Sequence, residues 1–563
     1  MSEGSKGIEF SLFAPYNEDV ALLGSWNDWQ PIEMARGDDG WWRVTVPLED
    51  GDHAYKFQLV SRSFFCEGET VQVADPRATR FSDDTYENSL ITVKDGQRAF
   101  IAYDWQHDDV PLPQNHELVM YEMHVGDFSG GPGDDQEGPK GRFLDVVDKL
   151  DYLAELGVNA IELMPVNEFP GTESWGYNLR SLFSVENAYG TPEDLCRLVD
   201  ECHGRGIRVI YDGVFNHLES EAPLTRIDYA YWFHEQNPDP EHMHWGPKFN
   251  IEHHDTALDV WPARQYIHDA ILFWIETFHF DGIRFDATAA IDHYDFLHWL
   301  QAEIYQSVGG IKPFITIAEH VPEDPTITGP DGPLDAAWNE SFSKQIMATI
   351  VGREDHGYQP YDLPRIAAVL DPRNEGYSSP LNAVHYIDNH DQDRIMWQLG
   401  QAGVLDDPAF RRMEMGAALL LTAPGLPLLW MGQEFGESAP RQLEPQPIDW
   451  ALLQNERNAR LRDRYRYLIE LRKNTAALHN DTFEIIHQDN DRGLLAFKRW
   501  DDAGGVVVVV ANIKDEHQGQ VEIGNWPGDG GWHEYTHNYD IEVGGGVMRD
   551  EIAESEVKIY VKR

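Results

Sequence analysis

Carboxylate, guanidinium and imidazole groups stand at the ends of several apolar segments of this chain. Arg284 and Asp286 end one segment, and Glu319 ends the next. Two neighbouring carboxyl groups can act as nucleophile and proton donor at one carbon atom, which is the chemistry of glycoside hydrolysis. A nearby cation favours the ionised form of a carboxylate. The other polar residues at such positions are Asp212, Asn216, His217, Asn389, His390 and Asp391.

Eight apolar segments predict β-strands, and the segments between them have helical periodicity. One helix is predicted from the stripe that includes Ile267, Ile271 and Trp274, and another begins at Thr191-Pro192 with an N-cap and a first-turn proline. Eight strand–helix alternations favour an α/β fold, a closed parallel (β/α)₈ TIM barrel. The carboxyl ends of its strands converge on one pocket, where we expect the polar residues to meet. The predicted strands are residues 118–125, 160–166, 208–215, 281–287, 314–320, 335–342, 383–391 and 426–435.

Short apolar runs separated by turn residues predict β-structure on both sides of the barrel. We expect an N-terminal β-sandwich over residues 1–105 and a C-terminal antiparallel β-sandwich over 481–563, with the catalytic barrel at 106–480. After the third strand, residues 218–262 form a long connection rich in His, Pro, Asp and Trp. Because such an insertion overhangs the active-site face of a barrel, we expect a lid-like subdomain.

The balance of charge excludes several classes of partner. The 97 acidic and 44 basic residues give a formal net charge of −53, which repels nucleic acid and anionic membranes. No apolar run of about 18 residues predicts a membrane span, and no signal-peptide pattern is visible at the N-terminus. Three cysteines that fit buried thiols favour a reducing cytoplasm. No GxGxxG, P-loop or HExxH motif predicts a nucleotide or redox cofactor.

Four of the predicted strands end in recognisable motifs. They are DGVFNH (212–217), GIRFD (282–286), Glu319 and NHD (389–391). As an ordered set they resemble the signature regions of the α-amylase superfamily, glycoside hydrolase family 13. Residues 20–29 resemble the start of the modules that precede the barrel in glycogen branching enzymes, and leave open whether this module binds glucan. The resemblance implies a retaining enzyme that cleaves α-1,4 or related glucosidic bonds in maltooligosaccharides or glycogen-like glucans.

The same resemblance assigns the reacting groups. Asp286 would attack the anomeric carbon and form a covalent glycosyl-enzyme, while Glu319 would act as general acid and then base. Arg284 would keep Asp286 ionised, supported by Asp212. A retaining mechanism predicts a separation of roughly 5–5.5 Å between the two reacting carboxyl groups.

Further residues are assigned to the sugar by resemblance. Asp391 would bind the sugar's 2- and 3-hydroxyls, His217 and His390 would donate hydrogen bonds to it, and Tyr177 would stack on the ring. Asn216 and Asn389 would support these side chains. No cofactor is required, although a structural calcium is common in amylases and Asn216 could be one of its ligands.

Departures from the family pattern leave the subgroup open. Many α-amylases follow the nucleophile with Lys-His, whereas this chain has Ala287-Thr-Ala-Ala, and branching enzymes also lack that pair. Residues 335–340 and 389–392 resemble maltooligosyl-trehalose trehalohydrolases, yet those usually carry His where this chain has Ala289. The alternatives to a hydrolase are therefore a branching transglycosylase, a trehalohydrolase, or a glucan-binding protein without turnover.

The acidic composition predicts a salt-dependent stability, as in proteins from a salt-rich cytoplasm. Raising KCl shortens the range of charge repulsion to about 3 Å at 1 M, so the melting temperature should rise between dilute buffer and molar KCl. The melting temperature would be measured in KCl and in sucrose. Sucrose is uncharged, so a rise seen only in KCl is due to charge screening and not to general exclusion of a cosolute from the protein surface. A melting temperature that does not rise with KCl would contradict a halophilic origin.

Overall fold

The computed structural model describes residues 7–82, 88–99, 101, 103–130, 141–236, 245–310 and 312–563. At its centre eight parallel strands close into a barrel in sequence order, as the strand–helix alternation predicts. Antiparallel sheets precede and follow the barrel.

The strands are β1 Ile8–Phe13, β2 Glu18–Gly24, β3 Ile32–Glu33, β4 Ala35–Arg36, β5 Trp41–Val46, β6 Gly51–Val60, β7 Thr70–Val73, β8 Ser89–Lys94, β9 Gln97–Ala99, β10 Met120–Met123, β11 Ala160–Leu163, β12 Arg208–Gly213, β13 Gly282–Phe285, β14 Ile315–Ala318, β15 Ala336–Trp338, β16 Ala383–His385, β17 Leu426–Trp430, β18 Glu484–Asp489, β19 Leu494–Trp500, β20 Val506–Asn512, β21 Gly519–Ile523, β22 Gly530–Glu534, β23 Tyr539–Val543, β24 Met548–Ile552 and β25 Glu556–Lys562. The helices are α1 Val125–Phe128, α2 Phe143–Val147, α3 Leu150–Leu156, α4 Pro192–Gly204, α5 Pro223–Ile227, α6 Tyr229–Trp232, α7 Pro262–Phe278, α8 Thr288–Ile291, α9 Tyr294–Val308, α10 Glu340–Val351, α11 Leu363–Val369, α12 Ile395–Gln401, α13 Asp406–Thr422 and α14 Glu456–Asn474.

The barrel strands β10 to β17 each lie within one of the eight predicted segments. They are almost wholly apolar because both faces of a parallel barrel sheet are buried. Local signals place the helices between them. For example, Thr191 caps α4 by accepting a hydrogen bond from the Asp194 N–H at 3.1 Å, and Pro192 occupies the first helical position.

The barrel interior changes from apolar to charged over two residues of each strand, which is the spacing between side chains that point to the same face. Toward the amino ends of the strands it is filled by an apolar cluster that includes Met120, Ala160 and Ile210. Two residues further along, each of these strands carries an acid, and in register Glu122 pairs with Glu162 and Asp212 pairs with Arg284. The charged layer therefore rests on an apolar plug, which keeps water from reaching it from below.

Two sheets on each side of the barrel confirm the predicted β-structure. The N-terminal strands form the sheets β1-β5-β4 and β3-β2-β6-β8-β9, with β7 paired to β6. Their buried side chains belong to the same core cluster as the barrel helices. The C-terminal strands form β18-β19-β20-β25-β22-β23 and β21-β24 around a separate core that contains Trp532.

The described part of the insertion after β12 is attached to the N-terminal sheets. Asn17 Nδ2 donates to the Ile227 carbonyl at 2.8 Å, and Ser61 Oγ donates to the Arg226 carbonyl at 2.7 Å. These two contacts hold residues 226–227 of the insertion against the N-terminal module. Residues 237–244 of the insertion lie outside the described residues.

The described helices and the three cysteines bear on two further predictions, the absence of a membrane span and the burial of the thiols. None of the described helices is long and apolar enough to cross a membrane. The thiols of Cys66, Cys196 and Cys202 are all buried and unpaired, as expected.

An ion cluster fixes the amino end of β13, on the face opposite the charged layer. The fully buried Asp281 accepts hydrogen bonds from the Val209 N–H at 2.8 Å and from His203 Nε2 at 2.9 Å, and Lys312 Nζ lies 2.9 Å away. Burial acts to raise the pKa of Asp281, but Lys312 and His203 outweigh it and lower this pKa to about 2.

Asp281→Asn should lower the free energy of unfolding by about 3–5 kcal/mol at neutral pH, because it leaves Lys312 without its buried counter-charge. The folded pKa of about 2 lies roughly two units below that of an unfolded aspartate, so about 2–3 kcal/mol of the wild-type advantage should be present above pH ~4 and be lost as pH falls through 2. Urea unfolding across this range measures it. Asp108→Asn, which removes the half-exposed partner of His279, is the control and should change stability by at most about 1 kcal/mol. Equal effects of the two variants would contradict the assignment.

Candidate active site

One buried guanidinium joins three carboxylates at the carboxyl ends of β12, β13 and β14. Arg284 Nη1 donates to Asp212 Oδ1 at 2.6 Å and to Asp286 Oδ1 at 3.0 Å, and Nη2 lies 3.0 Å from Glu319 Oε2. We call these four residues the Arg284 cluster. The Arg284 side chain is fully buried, whereas those of Asp286 and Glu319 keep 12% and 14% of their surface exposed. The two predicted reacting groups are thus the members of the cluster that open to solvent.

The turn after β13 places Glu319 relative to Asp286. The Ala287 N–H donates to Glu319 Oε2 at 2.8 Å, and Thr288 Oγ1 donates to the Glu319 carbonyl at 2.6 Å. Ala287 adopts a left-handed conformation, with φ of 45°, that a non-glycine residue rarely takes. Ala287 therefore holds the Glu319 carboxylate through its N–H, and Thr288 holds the Glu319 backbone through its hydroxyl.

Each of these two carboxylates has one oxygen committed to the cluster and one without a hydrogen-bond partner in the described part of the chain. Asp286 Oδ1 and Glu319 Oε2 receive the cluster's bonds. Asp286 Oδ2 is therefore available to attack a carbon atom, and Glu319 Oε1 to carry a proton. This division is what a nucleophile beside a general acid requires.

The charge of Asp286 follows from competing effects. Burial and then the Glu319 carboxylate raise the pKa of Asp286 well above its usual value, while Arg284 lowers it. The expected influence of Arg284 is present but does not dominate. The net effect favours the protonated form of Asp286 in the free protein, because burial and the neighbouring carboxylate outweigh Arg284.

His390 lies across the barrel from this turn. Its Nδ1 contacts Glu122 Oε1 at 2.6 Å, and its ring stacks on Tyr177 with centroids 5.0 Å apart. Burial lowers the pKa of His390, but the carboxylates of Asp391 and Glu122 outweigh burial and raise this pKa to about 9. The imidazole is therefore a cation at neutral pH.

Tyr177 connects His390 to the Arg284 cluster. Its hydroxyl donates to Asp212 Oδ2 at 2.7 Å. Because His390 covers one face of the ring, only the opposite face could stack on a ligand as the resemblance implies. Asp212 thus receives hydrogen bonds from both Arg284 and Tyr177, which agrees with a supporting position.

Asp391 is the most exposed of the predicted reacting groups, with 47% of its side-chain surface accessible. His390 Nε2 lies 3.4 Å from its Oδ2, and Arg441 Nη2 donates to its Oδ1 at 3.3 Å. His390 in the first place lowers the pKa of Asp391. The Asp391 N–H donates to Asn389 Oδ1 at 3.1 Å, so Asn389 shapes this turn.

The first signature motif lies at the edge of the group. His217 Nε2 contacts the Tyr177 carbonyl at 2.9 Å, and its Nδ1 contacts the Asn216 side-chain oxygen. His217 is therefore linked to the other residues of the site through its contact with the Tyr177 carbonyl. Among the described residues no group of three His, Cys, Asp or Glu side chains has the geometry of a metal site. The amide oxygen of Asn216 is turned to His217, and residues 237–244 of the insertion lie outside the described residues, so the structural calcium stays a prediction.

Three charged residues near the pocket escaped the sequence analysis. Glu122 and Glu162 each interrupt an apolar strand at its third residue, and this signal could have revealed them. Arg441 lies in the loop after β17 and has no comparable signal. Its Nε donates to the His390 carbonyl at 3.1 Å, and its guanidinium carbon lies 5.0 Å from the Trp175 ring centroid.

Comparison with known proteins extends these observations. The model of the alpha amylase catalytic domain matches residues 122–504, and that of carbohydrate-binding module 48, the isoamylase N-terminal domain, matches residues 1–78. The chain is 29% identical over 492 residues to the malto-oligosyltrehalose trehalohydrolase of Saccharolobus solfataricus, covering 81% of this chain and 78% of that protein. It is also 29% identical over 567 residues to the 1,4-alpha-glucan branching enzyme of Vibrio cholerae, covering 92% and 73%.

Solved structures share the fold. A type I pullulanase from Bacillus subtilis, complexed with maltose, matches with a TM-score of 0.80 and 19% identity over 99% of this chain and 84% of its own. An α-amylase from Anoxybacillus matches with a TM-score of 0.67 and 23% identity over 80% and 98%.

Replacing Arg441 tests the outer edge of the site. Arg441→Gln should lower kcat/KM for a maltooligosaccharide about fivefold, because a half-exposed ion pair that orients Asp391 is worth about 1 kcal/mol. Arg457→Gln is a matched control: Arg457 is equally exposed and also pairs with aspartates, but on α14. Indistinguishable kinetics for the two variants would mean that Arg441 does not act on Asp391.

Proposed function

The chain belongs to the α-amylase catalytic-domain family, and we propose that it hydrolyses α-1,4 or related glucosidic bonds in maltooligosaccharides or glycogen-like glucans. As a member of this family it is an α-glucan-active enzyme. The observation that carries the proposal is the Arg284 cluster, in which one guanidinium contacts Asp212, Asp286 and Glu319. It supports a nucleophile beside a general acid because the two outer carboxylates each keep one oxygen for the substrate.

In the proposed first step Asp286 Oδ2 attacks the anomeric carbon as the bond to the leaving oxygen breaks. Glu319 gives its proton to that oxygen, and a covalent glycosyl-enzyme remains. In the second step Glu319 takes a proton from water, whose oxygen attacks the same carbon and releases Asp286. Asp391, His390 and His217 would bind the hydroxyls of the reacting sugar.

We assign the N-terminal module to residues 1–105, the catalytic barrel to 106–480 and the C-terminal domain to 481–563, supported by the separate sheets on either side of the barrel. The chemistry as written needs no cofactor, and Tyr177 would offer its open face to the sugar. We propose a cytoplasmic location, and an α-glucan or maltooligosaccharide as the main partner.

Two alternatives differ in the acceptor or the bond. Trehalohydrolase activity is favoured by relatives of that name at 28–29% identity over 81% and 89% of this chain. Branching activity is favoured by a relative of that name over 92% of this chain. Both begin with the same glycosyl-enzyme, so the acceptor that enters the second step distinguishes them.

A product profile discriminates among the three. Purified protein would be incubated in low and high KCl with maltoheptaose, amylose and maltooligosyl-trehalose, and products separated by anion-exchange chromatography before and after debranching. Hydrolysis predicts short maltooligosaccharides with new reducing ends. New α-1,6 branches without added reducing ends would indicate a branching enzyme, and free trehalose a trehalohydrolase. Absence of turnover in every condition would contradict the proposed function.

Substitution of the two reacting carboxylates should separate their roles. Asp286→Asn should lower kcat by at least about 10⁴-fold, and Glu319→Gln by about 10²–10⁴-fold. With α-maltosyl fluoride, whose leaving group needs no proton, azide should partly restore Glu319→Gln, since it can attack the glycosyl-enzyme without a base. Asp286→Asn forms no glycosyl-enzyme and should not be restored in this way. Asp540→Asn, a half-exposed acid of the C-terminal sheet, should leave kcat unchanged. Retained activity in Asp286→Asn would remove the nucleophile assignment.

A further inference from the structure

A buried carboxylate at the centre of the barrel holds the imidazole of the sugar-binding side. Glu122 Oε1 lies 2.6 Å from His390 Nδ1, and the two residues are 1% and 4% exposed. Glu122 belongs to β10 and His390 to the turn after β16, and only β17 lies between these two strands in the closed barrel. No described residue other than His390 bonds the Glu122 carboxylate through its side chain, and Glu122 Oε2 has no hydrogen-bond partner there.

We propose that Glu122 is a positioning residue of the reaction, which fixes His390 as an imidazolium whose Nε2–H is presented to the sugar. The proposal rests on the function proposed above. Glu122 touches no reacting atom and would act only through His390. It would give the donor proton a fixed place and direction, as a carboxylate does for other functional histidines.

The surroundings of His390 make this contact decisive. The ring is stacked on Tyr177 and meets Trp175 edge to face at a centroid distance of 5.6 Å, so it is confined on both sides. With Nδ1 bound to Glu122, the only ring nitrogen left is Nε2, which lies 3.4 Å from Asp391 Oδ2. A sugar hydroxyl between Nε2 and Asp391 could then accept a hydrogen bond from one and donate to the other.

The neighbouring strand supplies a natural comparison. Glu162 is in register with Glu122 and equally buried, yet both of its carboxylate oxygens lack a hydrogen-bond partner in the described chain. Burial, and then Glu122, raise the pKa of Glu162 well above its usual value, which favours its protonated form. Two glutamates one strand apart thus differ in whether a histidine contacts them.

Other charges also face His390 and set the background. Asp391 acts from its own turn and raises the pKa of His390, whereas Arg284 of β13 lowers it. Neither is altered by changing Glu122. The remaining titratable groups that face or interact with His390 are Tyr177, Glu162 of β11, Asp212 of β12 and Asp286.

Glu122→Gln is the direct test, because the amide keeps the size and an oxygen acceptor but removes the charge. The fall in kcat/KM that depends on His390, identified by its loss in His390→Gln, should move from near pH 9 toward neutrality, since the pKa of His390 falls without Glu122. A shift of one pKa unit corresponds to a loss of about tenfold at alkaline pH, with a much smaller loss near pH 6. Glu162→Gln makes the same exchange at a glutamate that does not bond a histidine and should leave this fall in place.

Three results would overturn the proposal: a His390-dependent fall in kcat/KM that does not shift in Glu122→Gln, an equal shift in Glu162→Gln, or no fall near pH 9 that is lost in His390→Gln. The last comparison needs no folded Glu122 variant, so the proposal stays testable if Glu122→Gln does not fold. If the wild-type protein turns over no glucan, the proposed function fails instead. The titration of His390 can then be measured directly by NMR of protein labelled with ¹³C in its histidines. The signal of His390 is assigned by its loss in His390→Gln. Titration near pH 6.5 in the wild type would contradict the Glu122 contact.

Discussion

The buried guanidinium of Arg284 is the interaction on which the rest of the site depends. A lone cation in the barrel interior would be very costly, and three carboxylates offset that cost only if each is held at bonding distance. Two of them belong to neighbouring strands, where the parallel register fixes their spacing. The third, Glu319, is brought in by the turn after β13 through the backbone of Ala287. The reactive pair is therefore positioned by the same contacts that make the buried charge tolerable.

The excess of acids over bases in this interior has a chemical consequence. Burial raises the pKa of Glu162 and of Asp286. These two groups therefore hold their protons more strongly than isolated carboxylates in water would. His390 moves in the opposite direction and keeps its charge because two carboxylates face it. An apolar plug below and the Tyr177 ring beside this layer limit water, which strengthens each of these interactions. Acid, nucleophile and sugar-binding cation thus follow from one arrangement of charges.

Much of the fold could be predicted from the sequence, because eight apolar segments with polar ends and capped helices between them have few alternatives to a barrel. The strand ends likewise indicated Arg284, Asp286 and Glu319, since polar residues at those points must converge. The net effect on the pKa of Asp286 could not be foreseen, because it depends first on how deeply Asp286 is buried and then on the Glu319 carboxylate beside it. Arg441 was not predictable, because a loop residue's position follows from contacts made by distant turns. The contact of Glu122 with His390 joins strands far apart in sequence, which local patterns do not encode.

The most direct measurement is the trapping of the glycosyl-enzyme. The Glu319→Gln variant would be incubated with α-maltosyl fluoride, whose leaving group needs no proton, then digested with protease and analysed by peptide mass spectrometry. The account predicts a peptide carrying one maltosyl unit, with the bond at Asp286, because the base for the second step is missing. A maltosyl unit on another residue, or release of β-maltose without any adduct, would contradict a retaining reaction at Asp286.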